Sequence, residues 1–186
     1  HADVPIKAAY ELQKKGYSFQ LDIIGNGEMG QQLQQMIREL DLSDCVTMLG
    51  AMPPERVREH MEKADIFLFT SDQNEGWGAV LNESMNSGCV VIANQVIGSV
   101  PYLVRDGDNG FVVKECNSVD EIIGYVSRCM ENHQIMRQIG EAAYRTIRDE
   151  WNAQKAAEHL QRLVKFNDNE LQGICEKHES NSGIVK

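Results

Sequence analysis

Phe19-Gln20-Leu21-Asp22-Ile23-Ile24-Gly25-Asn26-Gly27-Glu28-Met29-Gly30 decides the fold class of this chain. Its apolar run, closed by Gly-Asn-Gly, reads as a strand over Phe19 to Ile24. Behind the glycines, Leu33, Met36, Ile37 and Leu40 recur at i, i+3, i+4 and i+7, the spacing of one helix face. A strand, a tight turn and a helix make the repeating unit of a parallel sheet, because parallel neighbours need a crossover.

The same alternation continues outward. Further strands are expected at Cys45 to Leu49, Asp65 to Thr70, Cys89 to Ala93 and Phe111 to Val113. Pro53-Pro54 opens a helix that carries Val57 and Met61 one turn apart, proline being harmless in a first helical turn. Gly88 closes the helix that carries Glu83. After the last strand the pattern is helical, with Ile122, Val126 and Met130, then Met136, Ile139 and Ala143, then Leu160, Leu163 and Val164. These faces are expected to pack on the sheet or cap its edge.

The chain opens on a helix, Pro5 to Lys15, with Ile6, Ala9 and Tyr10 on one face and no strand before it. The first strand of a doubly wound sheet is central. The expected fold is therefore α/β: a Rossmann-like, doubly wound parallel sheet flanked by helices, lacking its first strand and followed by C-terminal helices. A strand, and a domain with it, is expected upstream. Residues 1–166 read as one domain and 167–186 as a polar, flexible tail.

A chain of 186 residues is long enough for one sizeable core, since a domain of that size buries roughly 70% of its unfolded surface. With 42% hydrophobic and 25% charged residues, it has an ordinary globular composition, and no stretch approaches the ~20 apolar residues of a membrane span. The N-terminus carries no signal-peptide pattern. The five cysteines, Cys45, Cys89, Cys116, Cys129 and Cys175, form no C-x-x-C or Cys/His cluster and read as reduced, mostly buried thiols of a cytoplasmic protein. A net charge of −10 without a dense Lys/Arg run argues against a nucleic-acid partner. Asn82-Glu83-Ser84 matches a glycosylation sequon, but inside a predicted helix it reads as chance.

Gly25-Asn26-Gly27-Glu28-Met29-Gly30 also fits the letters of the G-x-G-x-x-G dinucleotide fingerprint. That site needs a carboxylate about 20 residues on, at the end of the next strand. Here the strand ends Met48-Leu49-Gly50. A turn needing glycine at positive φ explains the motif, and a nicotinamide dehydrogenase stays a remote alternative.

Chemistry is expected instead in Ser71-Asp72-Gln73-Asn74-Glu75-Gly76-Trp77-Gly78-Ala79-Val80-Leu81-Asn82-Glu83-Ser84. This segment follows a strand, and ligands of parallel sheets bind beyond the strands' carboxyl ends. Glu75 precedes a helix, and Glu83 lies about two turns inside it if the helix starts near Trp77. Ionised carboxylates accept hydrogen bonds only, so each can clasp sugar hydroxyls. Gly76, Trp77 and Gly78 offer backbone N–H groups to a phosphate, with glycines allowing close approach. Carboxylates near a helix start also favour its dipole, so spacing alone leaves both readings open.

The segment resembles the E-x7-E motif of retaining, two-domain (GT-B type) glycosyltransferases of the group 1, or family 4, kind. The likeness runs from about residue 2 to residue 166. It includes Leu21 to Gly27, Val46 to Gly50, Ala64 to Ser71, Gly88 to Ala93 and Asp106 to Val113. What the resemblance implies is the donor-binding half of a hexosyltransferase using a UDP-sugar or other NDP-sugar as co-substrate. It implies a glycan or lipid-linked acceptor and a role in bacterial surface polysaccharide synthesis. Glu75 is then the catalytic contact to the donor hexose and Glu83 the ribose ligand. Gly76, Trp77, Gly78 and Leu81 line the donor, and Gly50 lies at the base.

The resemblance also implies no metal and no other cofactor, so Asp106-Gly107-Asp108 is expected to be a turn and not a D-x-D metal motif. The Arg/Lys pair that such enzymes place ahead of this region is not matched by Lys7, Lys14 or Lys15. In such enzymes that pair stands on the loop after the first strand of this same domain, which is expected upstream of His1, while the missing N-terminal domain would supply the acceptor site and any contact with the inner membrane face. The isolated chain is therefore expected to be inactive, since leaving-group stabilisation is a large share of such a rate. A non-catalytic nucleotide-binding module is the alternative.

Overall fold

Strands alternate with helices as the apolar pattern requires. The computed structural model describes residues 1–165. The elements are α1 (Asp3–Lys14), β1 (Leu21–Ile24), α2 (Gly30–Glu39), β2 (Val46–Gly50), α3 (Pro54–Met61), β3 (Ile66–Phe69), α4 (Val80–Asn86), β4 (Val90–Asn94), α5 (Val100–Leu103), β5 (Phe111–Val113), α6 (Val119–Glu131), α7 (His133–Asp149) and α8 (Ala153–Lys165). The expected domain end at residue 166 and the tail over 167–186 lie outside the described residues.

All strand pairings are parallel and form two ladders, β1 with β2 and β3-β4-β5 in sequence order. The period of two along each strand explains how both faces are covered. Val90 and Ile92 of β4, with Phe111 and Val113 of β5, enter a core with Val4, Ala8 and Leu12 of α1 and Ile122 and Val126 of α6. Val91 and Ala93 point the other way, into a core with Leu81 and Met85 of α4, Leu103 of α5 and Ala143 and Ile147 of α7. Every residue of β4 is buried, as a central parallel strand requires.

Helix α1 belongs to both ladders. Its Val4, Ala8 and Leu12 pack against β4 and β5, while Ile6 and Ala9 join Leu33, Ile37 and Val46 around the β1-β2 ladder. Among the described residues β1 and β3 each pair on one side only. The parallel strands with helices on both faces are those of a Rossmann-like fold.

Three details depart from the sequence reading. Helix α5, with Pro101 in its first turn, is a single turn too short to leave a periodic pattern. Leu160, Leu163 and Val164 of α8 are exposed, at 63%, 41% and 80%, and do not pack on the sheet. Their stripe follows helical periodicity, but the turn at Trp151 and Asn152 carries the helix away from the core. Cys116 is exposed, whereas Cys89 and Cys129 are buried as expected and Cys45 is half-buried. Among the described residues no helix is long and apolar enough to cross a membrane.

Candidate functional site

Residues 70 to 79 leave the carboxyl end of β3 and reach α4 without regular structure. The Asp72 side chain accepts the Asn74 amide at 2.8 Å, and its carbonyl accepts the Glu75 amide at 3.0 Å. This turn presents Glu75. The Ser71 hydroxyl then donates to Glu75 Oε2 at 3.0 Å, which leaves Oε1 without a partner among the described residues.

Helix α4 begins at Val80 and not near Trp77. The Gly76 carbonyl, which a longer helix would use for the Val80 amide, accepts the Gly98 amide at 3.1 Å instead. Gly78 has φ +71°, a conformation no residue inside a right-handed helix adopts. A Cβ there would also stand 2.7 Å from the Phe69 ring, so Phe69 closes down on the loop. Glu83 consequently sits in the first turn of α4, one turn in and not two, and it is exposed. The Gly76, Trp77 and Gly78 amides precede the helix as loop donors, and among the described residues none of them meets an acceptor.

Trp77 projects outward, 41% exposed. Its indole N–H donates to Asn82 Oδ1 at 2.9 Å, and its rings lie 5.8 Å from Tyr102 and 5.6 Å from Trp151. Leu81 is fully buried beside Met85 and Val91, so its side chain anchors α4 in the core and does not face the loop.

Gly50 closes β2 with φ +71°. Its carbonyl accepts the Gly25 amide at 2.9 Å, and Asn26 Oδ1 accepts the next amide, that of Ala51, at 3.1 Å. Only Gly25 of the Gly25-to-Gly30 stretch has positive φ, so the dinucleotide lookalike is a turn that ties β1 to β2. Asp106-Gly107-Asp108 is likewise a turn. Asp106 accepts the Val112 amide, Asp108 accepts from Arg105, and Gly107 bonds Gly110. Among the described residues no three His, Cys, Asp or Glu side chains come together as metal ligands would.

The sequence reading missed Asn94, Asn117 and Gly98. Asn94 ends β4 and is 1% exposed. Its Nδ2 donates to the Ser71 carbonyl and to Asn117 Oδ1, both at 2.8 Å, and its Oδ1 accepts the Asn117 amide at 3.0 Å. A polar residue directly after the apolar run Val90 to Ala93 was the available signal, because buried polar groups need partners. Gly98 left no such signal, since its partner is 22 positions away.

A groove of about 630 Å³ lies elsewhere, at the amino ends of β3 and β4, lined by Lys63, Asp65, Gly88, His133, Arg137 and Tyr144. Ligands of parallel sheets bind at the opposite, carboxyl ends, where Gly50 closes β2 and where Ser71 joins Glu75 to Asn94.

Comparison with known proteins identifies the family and the fold. Residues 1–146 match the family described as glycosyl transferases group 1. The chain is 30% identical over 170 residues to the amylovoran biosynthesis glycosyltransferase AmsK of Erwinia amylovora, covering 87% of this chain and 41% of that protein. It is 26% identical over 168 residues to the putative colanic acid biosynthesis glycosyltransferase WcaL of Salmonella typhimurium, with the same coverage. This chain thus spans about two fifths of the length of these curated relatives.

Among solved structures, the C-terminal domain of a group 1 family glycosyl transferase, LpcC, from Francisella tularensis superposes with a TM-score of 0.74 at 22% identity, covering 82% of this chain and 80% of that one. Anabaena HepE, solved in complex with UDP, gives 0.72 at 24% identity, covering 86% and 44%. The fold is that of a GT-B C-terminal domain, and the match over residues 1–146 makes the chain a member of the glycosyl transferases group 1 family.

Proposed function

We propose that this chain is the donor-binding half of a retaining hexosyltransferase that takes a sugar from a nucleoside diphosphate. The observation that carries the reading is the segment 71 to 83. A half-buried carboxylate oriented by Ser71, a run of unengaged loop amides and an exposed carboxylate follow one another at the carboxyl end of β3. A nucleotide-sugar offers the matching parts in order: hexose hydroxyls, a diphosphate and ribose hydroxyls.

In this reading Glu83 accepts from the ribose hydroxyls and Glu75 from the hexose, while the Gly76 to Gly78 amides hold the sugar and diphosphate. Gly50, at the end of β2, stands where the base is held by backbone groups. The transition state is loose and oxocarbenium-like, and this half supplies no nucleophile. In this reading the charge on the departing diphosphate is met by basic side chains of the larger enzyme, and the chain alone binds donor without transferring sugar. No metal enters this scheme, and a chelator leaves donor binding unchanged. HepE, also solved with UDP-glucose, and the polysaccharide enzymes named above support a nucleotide-sugar donor and a glycan or lipid-linked acceptor.

Calorimetry with UDP and GDP on the wild type and on Glu83→Ala tests the reading. The variant loses about 1–3 kcal/mol of nucleotide affinity, the worth of a charge-assisted hydrogen-bonding pair. Unchanged affinity refutes the ribose role, and sugar transfer by the chain alone refutes the division of labour.

A further inference from the structure

We infer that Asn94 is a positioning residue for Glu75, acting through Ser71, and that it governs contact with the donor hexose without touching the donor. The inference rests on the reading of Glu75 as the hexose contact.

Asn94 can be oriented in one way only. The Ser71 carbonyl accepts and cannot donate, so the amide nitrogen must face it, while the Asn117 N–H requires the amide oxygen. Both Nδ2 hydrogens and the oxygen are thereby used. This buried side chain joins three segments that the chain separates widely: the end of β3, the end of β4 and the turn before α6. Asn117 holds φ +61°, a conformation asparagine tolerates better than most residues, and its reciprocal bonds to Asn94 keep it there.

The consequence reaches the site in one step. Asn94 fixes the Ser71 carbonyl, and the same residue's hydroxyl donates to Glu75 Oε2. A shift of the Ser71 backbone moves its hydroxyl and, with it, the carboxylate. Glu83 stands on α4, anchored separately by Leu81 and Met85 in the core. Loosening Asn94 should therefore disturb hexose recognition and spare the nucleotide. A merely structural asparagine would weaken both alike.

Asn94→Asp keeps the shape and removes the donor to Ser71. Calorimetry compares UDP with UDP-glucose, and GDP with GDP-mannose, on wild type, Asn94→Asp, Ser71→Ala, the double variant and Glu75→Ala. Expected is about tenfold weaker binding of the nucleotide-sugar to Asn94→Asp, with nucleoside diphosphate affinity held within about twofold. Ser71→Ala shows the same split, and the double variant is no worse than either, because both act on one hydrogen bond. Equal losses for sugar-nucleotide and nucleotide, or additive losses in the double variant, overturn the inference. Should Asn94→Asp not fold, Ser71→Ala with Asn117→Ala carries the same comparison. If Glu75→Ala leaves sugar-nucleotide binding intact, the Glu75 reading itself fails and takes the inference with it. If only Glu75→Ala has an effect, the inference fails alone.

Discussion

The Gly98 amide donates to the Gly76 carbonyl at 3.1 Å, and a Cβ on Gly98 would stand 2.2 Å from that same oxygen. Two loops beyond neighbouring strands thus touch backbone to backbone. The contact halts α4 short of Gly76 and leaves the loop amides available.

Gly98→Ala should open this contact. No methyl group fits at 2.2 Å from a backbone oxygen, so one loop must move. We expect a destabilisation of about 1–3 kcal/mol, as for other overpacked sites, and at least about tenfold weaker nucleotide-sugar binding. Thermal melts and calorimetry on one sample check both. Intact affinity would show that the Gly76 to Gly78 loop is not part of the donor site.

Gly140→Ala provides the contrast. Its Cβ would lie 2.3 Å from the Gly88 carbonyl, where α7 rests on the turn into β4. This is at the amino end of the strand, away from Glu75. The expected loss is again about 1–3 kcal/mol of stability, but with ligand affinity unchanged below the melting range. Urea unfolding alongside calorimetry separates the two effects.

Trp77 and Trp151 are the two tryptophans of the chain, and their rings pack 5.6 Å apart. Trp77 lies between the two glycines of the proposed donor loop. Nucleotide-sugar binding should therefore change the fluorescence emission. Trp151→Phe should keep the change and Trp77→Phe abolish it. A signal that survives Trp77→Phe would place the ligand elsewhere.

Burial pushes the Cys89 and Cys129 thiols up to about 11, with Asp65 adding repulsion at Cys89. Cys89 also donates its S–H to the Met61 carbonyl at 3.2 Å. The unfolded chain ionises such thiols near their ordinary value of 9.0, while the folded chain keeps them protonated. Their contribution to stability is complete below that value and is lost as the pH climbs to about 11. Melting temperatures measured between those limits should fall, and less steeply in a Cys89→Ala, Cys129→Ala variant. Of the four thiols described, exposed Cys116 should react first with a thiol reagent.

The sequence by itself determined the architecture. Short apolar runs marked the strands and helical spacing the long helices, because which residues are buried along an element is a local property that the residue pattern carries. It also singled out the segment proposed to bear the chemistry, since Glu75, the glycines around Trp77 and Glu83 are contiguous. Tertiary structure decided how that segment is held. The start of α4 at Val80 depends on a bond from Gly98, and the setting of Glu75 runs through Ser71 to Asn94 and Asn117. It also turned α8 away from the core that its apolar stripe had suggested. Apart from the local Ser71–Glu75 bond, the hydrogen bonds that hold the segment join residues 22 or 23 positions apart. A hydrogen bond at that range is fixed by where the strands end in space, and no local pattern of residue types records it.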